Sequence, residues 1–147
     1  LHERGGSTNV LHLHGELTKA RSSMSSDKSE PIHIGYEDIN VGDKCEVSGS
    51  QLRPHIVWFG EMPFNVDESA LALQSADIII IIGTSLQIGY TIPLIGLGAE
   101  DIDELYYVDP TPANYLDAYG LPITYIKEKA VEGVTDLVEI LMAREDA

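Results

Sequence analysis

Two histidines alternate with leucines in a short segment that ends at a glycine. Residues 9–14 read Asn-Val-Leu-His-Leu-His, and Gly15 follows them. This alternation predicts a strand whose leucines share one face and whose histidines share the other. An imidazole at the end of a strand suits a general base near pH 7, because the ordinary histidine pKa lies close to that pH. His14 is therefore a candidate general base.

Two other interpretations of these histidines stay open. His14 could be a buried histidine whose ring is satisfied by hydrogen bonds inside the core. Alternatively, His12 and His14 form an H-x-H pair that binds a metal ion, with Glu16 or His33 completing the ligand set. The predicted strand at residues 9–14 does not by itself show whether His14 is a general base or a buried histidine.

A glycine and two hydroxyl residues follow a run of five isoleucines. The run occupies residues 78–82, and Gly83, Thr84 and Ser85 come directly after it. A glycine lets the backbone turn sharply and approach a ligand closely, while hydroxyl and N–H groups suit phosphate or ribose oxygens. The same three residues also fit an ordinary turn between a strand and a loop, so the string alone favours neither interpretation.

The chain has one cysteine, Cys45. A single cysteine excludes a disulfide within the chain and an all-cysteine metal cage, and it fits a reducing compartment. A nucleophilic cysteine needs a lowered pKa, whereas Asp43 and Glu46 beside it predict a raised one. We therefore interpret Cys45 as an incidental or buried thiol.

Strands and helices are predicted to alternate around these candidates. The predicted strands are residues 9–14, 55–59, 78–82, 104–108 and 123–126, and the predicted helices are residues 67–75, 93–98, 113–119 and 131–144. Five successive isoleucines predict a central strand that is covered on both faces. The alternation predicts an α/β fold with a doubly wound parallel sheet, whose ligands bind outside the carboxyl ends of the strands.

Residues 17–51 lack this regularity. They contain five serines between Ser22 and Ser29 and several glycines, with few periodic apolar positions. Such a composition is typical of an inserted module or a long loop. We therefore expect two parts: a Rossmann-like domain formed by residues 1–16 and 52–147, and a small inserted module at residues 17–51.

The charge balance excludes some partners. The chain has 147 residues, with 24 acidic and 9 basic side chains and a net charge of −15. No lysine or arginine lies between Arg53 and Lys127, so a nucleic-acid partner is not expected.

Residues 78–99 carry no charged side chain, but their glycines, Pro93 and polar residues argue against a membrane span. No signal peptide is visible, and we expect a cytoplasmic protein that binds neither nucleic acid nor membrane.

Four blocks of the sequence, in this order, resemble the sirtuin family of NAD-dependent protein lysine deacylases. They are residues 1–4 (Leu-His-Glu-Arg), 9–16 (Asn-Val-Leu-His-Leu-His-Gly-Glu), 52–61 (Leu-Arg-Pro-His-Ile-Val-Trp-Phe-Gly-Glu) and 82–86 (Ile-Gly-Thr-Ser-Leu). The resemblance runs nearly end to end through the chain, but it corresponds to the later part of a sirtuin core.

The resemblance implies roles for individual residues. His14 matches the catalytic histidine, which acts as a base on the ribose hydroxyls of NAD. The matching cofactor-binding positions are Gly83, Thr84, Ser85, Tyr107, Val108, Asp109 and Ala130, and position 107 departs from the usual asparagine. An acyl-lysine peptide is implied to lie as an added strand along the segment that contains Val57, Phe59, Gly60 and Glu61.

The implied reaction has four stages. The acyl oxygen attacks C1′ of the nicotinamide ribose, nicotinamide leaves, a base-assisted rearrangement follows, and hydrolysis yields free lysine and an O-acyl-ADP-ribose. The expected partners are therefore NAD as co-substrate and acyl-lysine peptides or proteins. Two alternatives stay open: a fragment or relative that binds a nucleotide without catalysis, and a mono-ADP-ribosyltransferase.

The sequence departs from the family pattern in two ways. Sirtuins usually carry four zinc-binding cysteines in the module after the histidine, whereas residues 17–51 contain Cys45 alone. We therefore expect no zinc and a zinc-lacking bacterial type. The glycine-rich phosphate loop and the first strands of the dinucleotide fold are also absent, so we expect an incomplete core that is inactive without its amino-terminal part.

Overall fold

The computed structural model describes residues 2–24 and 29–145, and contacts along the chain divide it into the units Leu1–Val66 and Asp67–Ala147. Leu1 of the first family block lies outside the described residues, as do Ser25 and Ser26 of the serine-rich stretch. The predicted division into residues 1–16 plus 52–147 and residues 17–51 stays a prediction.

The first unit contains a three-stranded antiparallel sheet. Its strands are β1 (Gly15–Ser22), β2 (Ile32–His33) and β3 (Leu52–Ile56), in the order β2-β1-β3. A short 3₁₀ helix, Glu3–Gly5, precedes them. Strand β1 pairs with β3 from Gly15 opposite Ile56 to Ser22 opposite Leu52, with a register shift between Glu16 and Ala20. The central strand of this sheet therefore begins directly after His14.

The predicted strand at residues 9–14 is wrong. Residues 13–14 form a turn that a hydrogen bond from the Gly15 N–H to the His12 carbonyl closes at 3.1 Å. The first strand starts at Gly15 and runs into the stretch predicted to be irregular. Alternation of apolar and polar residues is a local signal, whereas β1 is stabilised by pairing with β3, which lies more than 30 residues away. The predicted strand at residues 55–59 is likewise displaced toward the amino terminus, because β3 ends at Ile56.

The second unit contains a three-stranded parallel sheet with helices on both faces. Strands β4 (Ile78–Ile82), β5 (Glu104–Val108) and β6 (Ile123–Ile126) lie in that order across the sheet. The helices are α1 (Val66–Gln74), α2 (Thr91–Gly98) and α3 (Ala130–Glu145), with a 3₁₀ helix at Tyr115–Tyr119. Two apolar clusters occupy the two faces of the sheet. This arrangement confirms the predicted α/β fold with a parallel sheet.

Strand β5 contributes to both clusters because its side chains alternate between faces. On one face Leu105 and Tyr107 pack with residues of α1 and α2, and on the other Tyr106 and Val108 pack with Leu137 of α3. Tyr107, Leu105, Val108 and Leu137 are almost fully buried. The central strand of the described sheet is therefore β5.

The isoleucine strand β4 was predicted to be central, and this is wrong for the described residues. It pairs with β5 alone, and Ile78 and Ile82 are 40% and 42% exposed. An unbroken apolar run indicates burial, but it does not specify which strands lie beside it.

The predicted helices are confirmed with small shifts at their ends, except one. Residues 113–119 were predicted to form an α-helix, and the structure has the 3₁₀ helix there, ended by Gly120 with φ of +66°. In the part of the chain that the structure describes, no helix is long and apolar enough to cross a membrane.

Candidate functional site

His14 lies at the surface, in the turn that precedes β1. Its side chain is exposed, and its carbonyl oxygen accepts a hydrogen bond from the Val57 N–H at 3.0 Å. The preceding carbonyl, of Leu13, accepts a hydrogen bond from the Phe64 N–H at 2.9 Å. The backbone of the turn is thus held by the segment that follows β3, while the side chain is exposed. The exposed position contradicts the alternative of a buried histidine.

Gly15 lets this turn approach β3 closely. Its φ is +84°, and a Cβ at this position would collide with the carbonyl oxygen of His55 and lie 2.9 Å from the carbonyl carbon. Both atoms belong to backbone that is paired in the sheet, so they cannot rotate away as a side chain would. Glycine is required directly after His14 for both reasons.

The metal interpretation of the histidine pair finds no support in the described residues. The Nε2 atom of His12 lies 2.6 Å from Oε1 of Glu3 and 3.9 Å from Oε1 of Glu16. His33 lies on β2, opposite Lys19. Among the residues that the structure describes, no group of three histidine, cysteine, aspartate or glutamate side chains is arranged to hold a metal ion.

Cys45 is buried, as one interpretation of the sequence expected, but its predicted pKa shift is wrong. A hydrogen bond from the Ser48 side chain to the sulfur, with backbone N–H groups nearby, holds the pKa of Cys45 below its usual value. These hydrogen bonds act at shorter range than the carboxylates of Asp43 and Glu46, which the sequence analysis considered alone.

The segment after β3 exposes its tip and anchors its end. Phe59 is wholly exposed and Gly60 is exposed with φ of +89°, while Val57 is half-buried. Glu61 is turned inward: its carboxylate accepts hydrogen bonds from Arg53 at 2.5 and 3.0 Å, from Arg21 at 3.0 Å and from the Trp58 N–H at 3.0 Å. Phe59 and Gly60 are therefore accessible to a ligand, whereas the Glu61 carboxylate is bonded to Arg21, Arg53 and the Trp58 N–H; a substrate-binding role for Glu61 stays a prediction.

These contacts predict acid sensitivity of the first unit. The Arg53 hydrogen bonds, with that of the Trp58 N–H, lower the pKa of Glu61 to about 2. A carboxylate whose pKa is lower in the folded state stabilises the fold above its unfolded pKa, near 4.5, and loses this effect as the pH falls toward 2. We expect Glu61→Gln to flatten the loss of stability between those two pH values.

The single tryptophan of the chain, Trp58, lies in the first unit and reports its unfolding. Urea unfolding followed by Trp58 fluorescence at several acid pH values tests the expectation. Equal slopes of stability against pH for the parent and for Glu61→Gln would contradict the assignment of the carboxylate to this cluster.

In the second unit, the turn after β4 has the features that the sequence predicted. Gly83 is exposed with φ of +59°, and its N–H donates to the Val108 carbonyl at 3.0 Å. Ser85 is exposed and Thr84 is half-buried, with the Thr84 hydroxyl accepting a hydrogen bond from the Leu86 N–H at 3.2 Å. The backbone of this turn is therefore ordered and accessible to a ligand.

The side chain of Tyr107 holds the backbone of this turn by a hydrogen bond. Its side chain is fully buried, and its hydroxyl donates to the Thr84 carbonyl at 2.5 Å and accepts from the Ala113 N–H at 3.3 Å. Burial raises the pKa of Tyr107, so the hydroxyl stays protonated and able to donate. Tyr107 is predicted to be a cofactor-binding position; in the structure its buried hydroxyl donates to the Thr84 carbonyl and so braces the turn. No local sequence signal indicates this contact, because it joins a residue of β5 to the turn after β4, which lies 23 residues earlier.

Removing that hydroxyl is expected to destabilise the second unit. Tyr107→Phe leaves the Thr84 carbonyl and the Ala113 N–H without this partner, which costs about 1–3 kcal/mol of unfolding free energy for a buried group. Urea unfolding followed by circular dichroism measures the change. Tyr115→Phe, at a tyrosine that is 47% exposed, is the control and should change stability by less than about 0.5 kcal/mol. Equal effects of the two substitutions would contradict the bracing role.

The other predicted positions lie at the carboxyl edge of the parallel sheet. Val108 is fully buried and offers its carbonyl to Gly83, and the Asp109 N–H donates to the Ile126 carbonyl at 3.1 Å. The Asp109 carboxylate accepts from the Thr111 N–H at 2.8 Å. Ala130 is the exposed first residue of α3. Because parallel strands end at the same edge, the turns after β4, β5 and β6 converge there.

Comparison with known proteins finds relatives along the chain. A family model described as the Sir2 family matches residues 1–89. The NAD-dependent protein deacylase of Aggregatibacter actinomycetemcomitans is 46% identical over 112 residues, which cover 76% of this chain and 51% of that protein. The NAD-dependent protein deacylase of Bacteroides thetaiotaomicron is 39% identical over an alignment covering 97% of this chain and 60% of that protein.

A solved structure described as a Sir2 homolog–NAD complex has the same fold. It superposes with a TM-score of 0.72 at 32% identity, covering 98% of this chain and 55% of that one. The chain thus spans about half the length of the relatives that it matches. The matched family region contains His14, the segment at residues 57–61 and the turn at residues 83–85.

Proposed function

The chain belongs to the Sir2 family, and we propose that it carries the catalytic histidine and the NAD-binding turn of an NAD-dependent protein lysine deacylase. The observation that supports this most is the family match over residues 1–89, which takes in His14 and the turn at residues 83–85. The names of the relatives, NAD-dependent protein deacylases, supply the activity and the co-substrate.

The second unit fits a dinucleotide at its carboxyl edge. Gly83 and Ser85 present accessible backbone, and neither a side chain nor backbone lies within 4 Å of the position of a Cβ at Gly83, apart from its chain neighbours. Bound there, NAD supplies a ribose carbon that becomes electrophilic as nicotinamide leaves. We propose that Gly83, Thr84 and Ser85 bind the dinucleotide, with Val108, Asp109 and Ala130 forming the rest of that edge. Tyr107 contributes by holding the Thr84 backbone.

His14 is proposed as the general base toward the ribose hydroxyls. A base must have an accessible ring nitrogen, and the His14 side chain is exposed while its backbone is held on both sides. A neutral imidazole takes a proton from a hydroxyl, and the oxygen that loses the proton becomes the stronger nucleophile.

The segment after β3 is proposed to bind an acyl-lysine peptide as an added strand. Phe59 and Gly60 are exposed, and Val57 lies beside them. The net charge of −15 favours lysine-rich protein segments over acidic ones. A cytoplasmic location is part of the same proposal, because NAD is available there as a co-substrate.

The side chains around Cys45 in the inserted module, residues 17–51, do not fit a structural zinc ion. Cys45 is the single cysteine of the chain, and the hydroxyls of Ser29 and Ser48 contact its sulfur. Structural zinc sites use four thiolate or imidazole ligands, and neutral hydroxyls are poor substitutes. We propose that the module folds without zinc, which metal analysis of the purified protein tests.

Turnover is proposed to require the remainder of the Sir2 core, since the chain spans about half the length of its relatives. The test uses the joined protein, which is this chain fused to the part of the Bacteroides thetaiotaomicron relative with which it does not align. NAD is titrated into the chain alone and into the joined protein by calorimetry, and nicotinamide release is then measured with an acetyl-lysine peptide.

We expect the joined protein to bind NAD and to release nicotinamide only when the peptide is present. NAD binding without release under any condition would support a non-catalytic nucleotide-binding protein instead. Release at equal rates with and without the acetyl group on the peptide would contradict a deacylase.

A further inference from the structure

Two arginines lie opposite each other on neighbouring strands of the first unit. Arg21 of β1 pairs with Arg53 of β3 in the antiparallel register. Like charges in directly opposed positions destabilise a sheet unless an anion lies between them. Here the anion is Glu61, whose carboxylate accepts hydrogen bonds from both guanidinium groups.

The two guanidinium groups are fixed on several sides. Their side chains are 26% and 15% exposed, and the Nε atom of each is buried without a hydrogen-bond partner among the described residues. Arg53 stacks 4.0 Å from the ring centre of Trp58, and Arg21 lies 5.0 Å from that of Phe64. A partly buried pair of positive charges is costly to the fold, so stability alone explains it poorly.

The arginines connect the two ends of one surface segment. Both donate to the Ile56 carbonyl, at 3.3 and 3.2 Å, which is the last carbonyl before the segment Val57–Glu61. Both arginines also donate to the carboxylate of Glu61, which is the last residue of that segment. Inside the segment, the Glu61 N–H donates to the Trp58 carbonyl, and the Trp58 N–H donates to Glu61. The segment is therefore a closed turn that exposes Trp58, Phe59 and Gly60.

We propose that Arg21 and Arg53 are positioning residues that, acting through Glu61, hold this turn in the shape that receives an acyl-lysine peptide. The peptide role rests on the proposed function, whereas the clamp itself is a property of the first unit. Glu61 is then an internal anchor rather than a contact of the substrate.

Trp58 allows the clamp to be tested in the chain as it is. Arg21→Lys keeps the charge but loses the planar fork of donors, and Arg21 itself stacks on Phe64 rather than on Trp58. We expect this variant to raise the acrylamide quenching constant of Trp58 by roughly twofold while the circular dichroism spectrum stays unchanged, because one donor to Glu61 is weakened. Glu61→Gln, which keeps the shape of the side chain, should do the same.

Arg144→Lys is the matched control. In the second unit, Nη1 of Arg144 donates to both carboxylate oxygens of Glu104, at 2.8 and 2.7 Å. Its substitution should leave Trp58 quenching unchanged. Unchanged quenching in folded Arg21→Lys and Glu61→Gln would overturn the clamp. Should Arg21→Lys fail to fold, Glu61→Gln alone decides the question in the same way.

Kinetics of the joined protein test the consequence for the peptide. Arg21→Lys should raise KM for the acetyl-lysine peptide by about tenfold, with kcat and KM for NAD within about twofold, because only peptide binding is affected. A parallel rise in KM for NAD would indicate general damage and overturn the positioning role. If the joined protein has no activity at all, the proposed function fails, while the quenching result still decides the clamp.

Discussion

His14→Ala in the joined protein is expected to lower turnover by about 10²- to 10⁴-fold, the usual contribution of a general base, while NAD affinity changes little. The imidazole is exposed and sits on a turn whose backbone is bonded to the segment after β3. Its removal therefore deletes a proton acceptor without disturbing the sheet. Steady-state turnover with an acetyl-lysine peptide and calorimetric NAD titration measure the two effects.

His12→Ala is the control for this experiment. His12 lies two residues away and its ring contacts Glu3, in a position with no proposed role in catalysis. Its substitution should leave turnover within roughly twofold, because it removes a contact with Glu3 and no proposed catalytic group. Equal losses in the two variants, or undiminished turnover of His14→Ala, would contradict the assignment of the base.

Gly15→Ala is expected to be the most destabilising substitution near the site. A positive φ costs a residue with a side chain about 1–3 kcal/mol. Contact of the new methyl group with the His55 carbonyl adds about 1–3 kcal/mol, because packed backbone has to move. We therefore expect a loss of about 2–6 kcal/mol in the unfolding free energy of the first unit, measured by urea titration of Trp58 fluorescence.

Gly42→Ala separates the two causes. Gly42 has φ of +107° in the same unit, and no atom beyond its chain neighbours lies within 4 Å of the position of a Cβ there. It carries the backbone strain without the collision, so its loss should be about 1–3 kcal/mol. Equal losses at Gly15 and Gly42 would show that the close approach of the turn to β3 is not a constraint.

The second unit could be predicted well from the sequence because its signals are local. Strands β5 and β6 lie at the predicted residues, and α3 differs from its prediction by one residue at each end. The apolar residues of α3 recur at helical spacing, and β5 ends directly before Asp109 and Pro110. The neighbours of β4 could not be predicted, since a run of isoleucines carries no information about strand order.

The first unit was predicted poorly because its sheet depends on distant pairing. Leucine–histidine alternation before Gly15 looks like a strand, yet the chain turns there and β1 starts where the pattern ends. Residues 15–22 show little alternation of their own and are ordered by β3. A strand that is stabilised by a partner 30 or more residues away cannot be recognised from a short stretch of its own sequence.

Some features of the candidate site could be predicted from the sequence, and others depend on contacts between distant elements. Residue types and glycine positions identified His14 and the turn at residues 83–85, and the resemblance to the family assigned their chemistry. The brace from Tyr107 to Thr84 and the clamp of Arg21 and Arg53 on Glu61 depend on contacts between elements. Such contacts become visible only when strand register and side-chain burial are known.

The most direct measurement is the mass of an acetyl-lysine peptide after incubation with NAD and the joined protein. We predict that the peptide becomes lighter by one acetyl group and that O-acetyl-ADP-ribose and nicotinamide appear in equal amounts. A peptide that instead gains an ADP-ribosyl group would contradict deacylation and indicate transfer to protein. An unchanged peptide with folded, NAD-bound protein would contradict catalysis altogether.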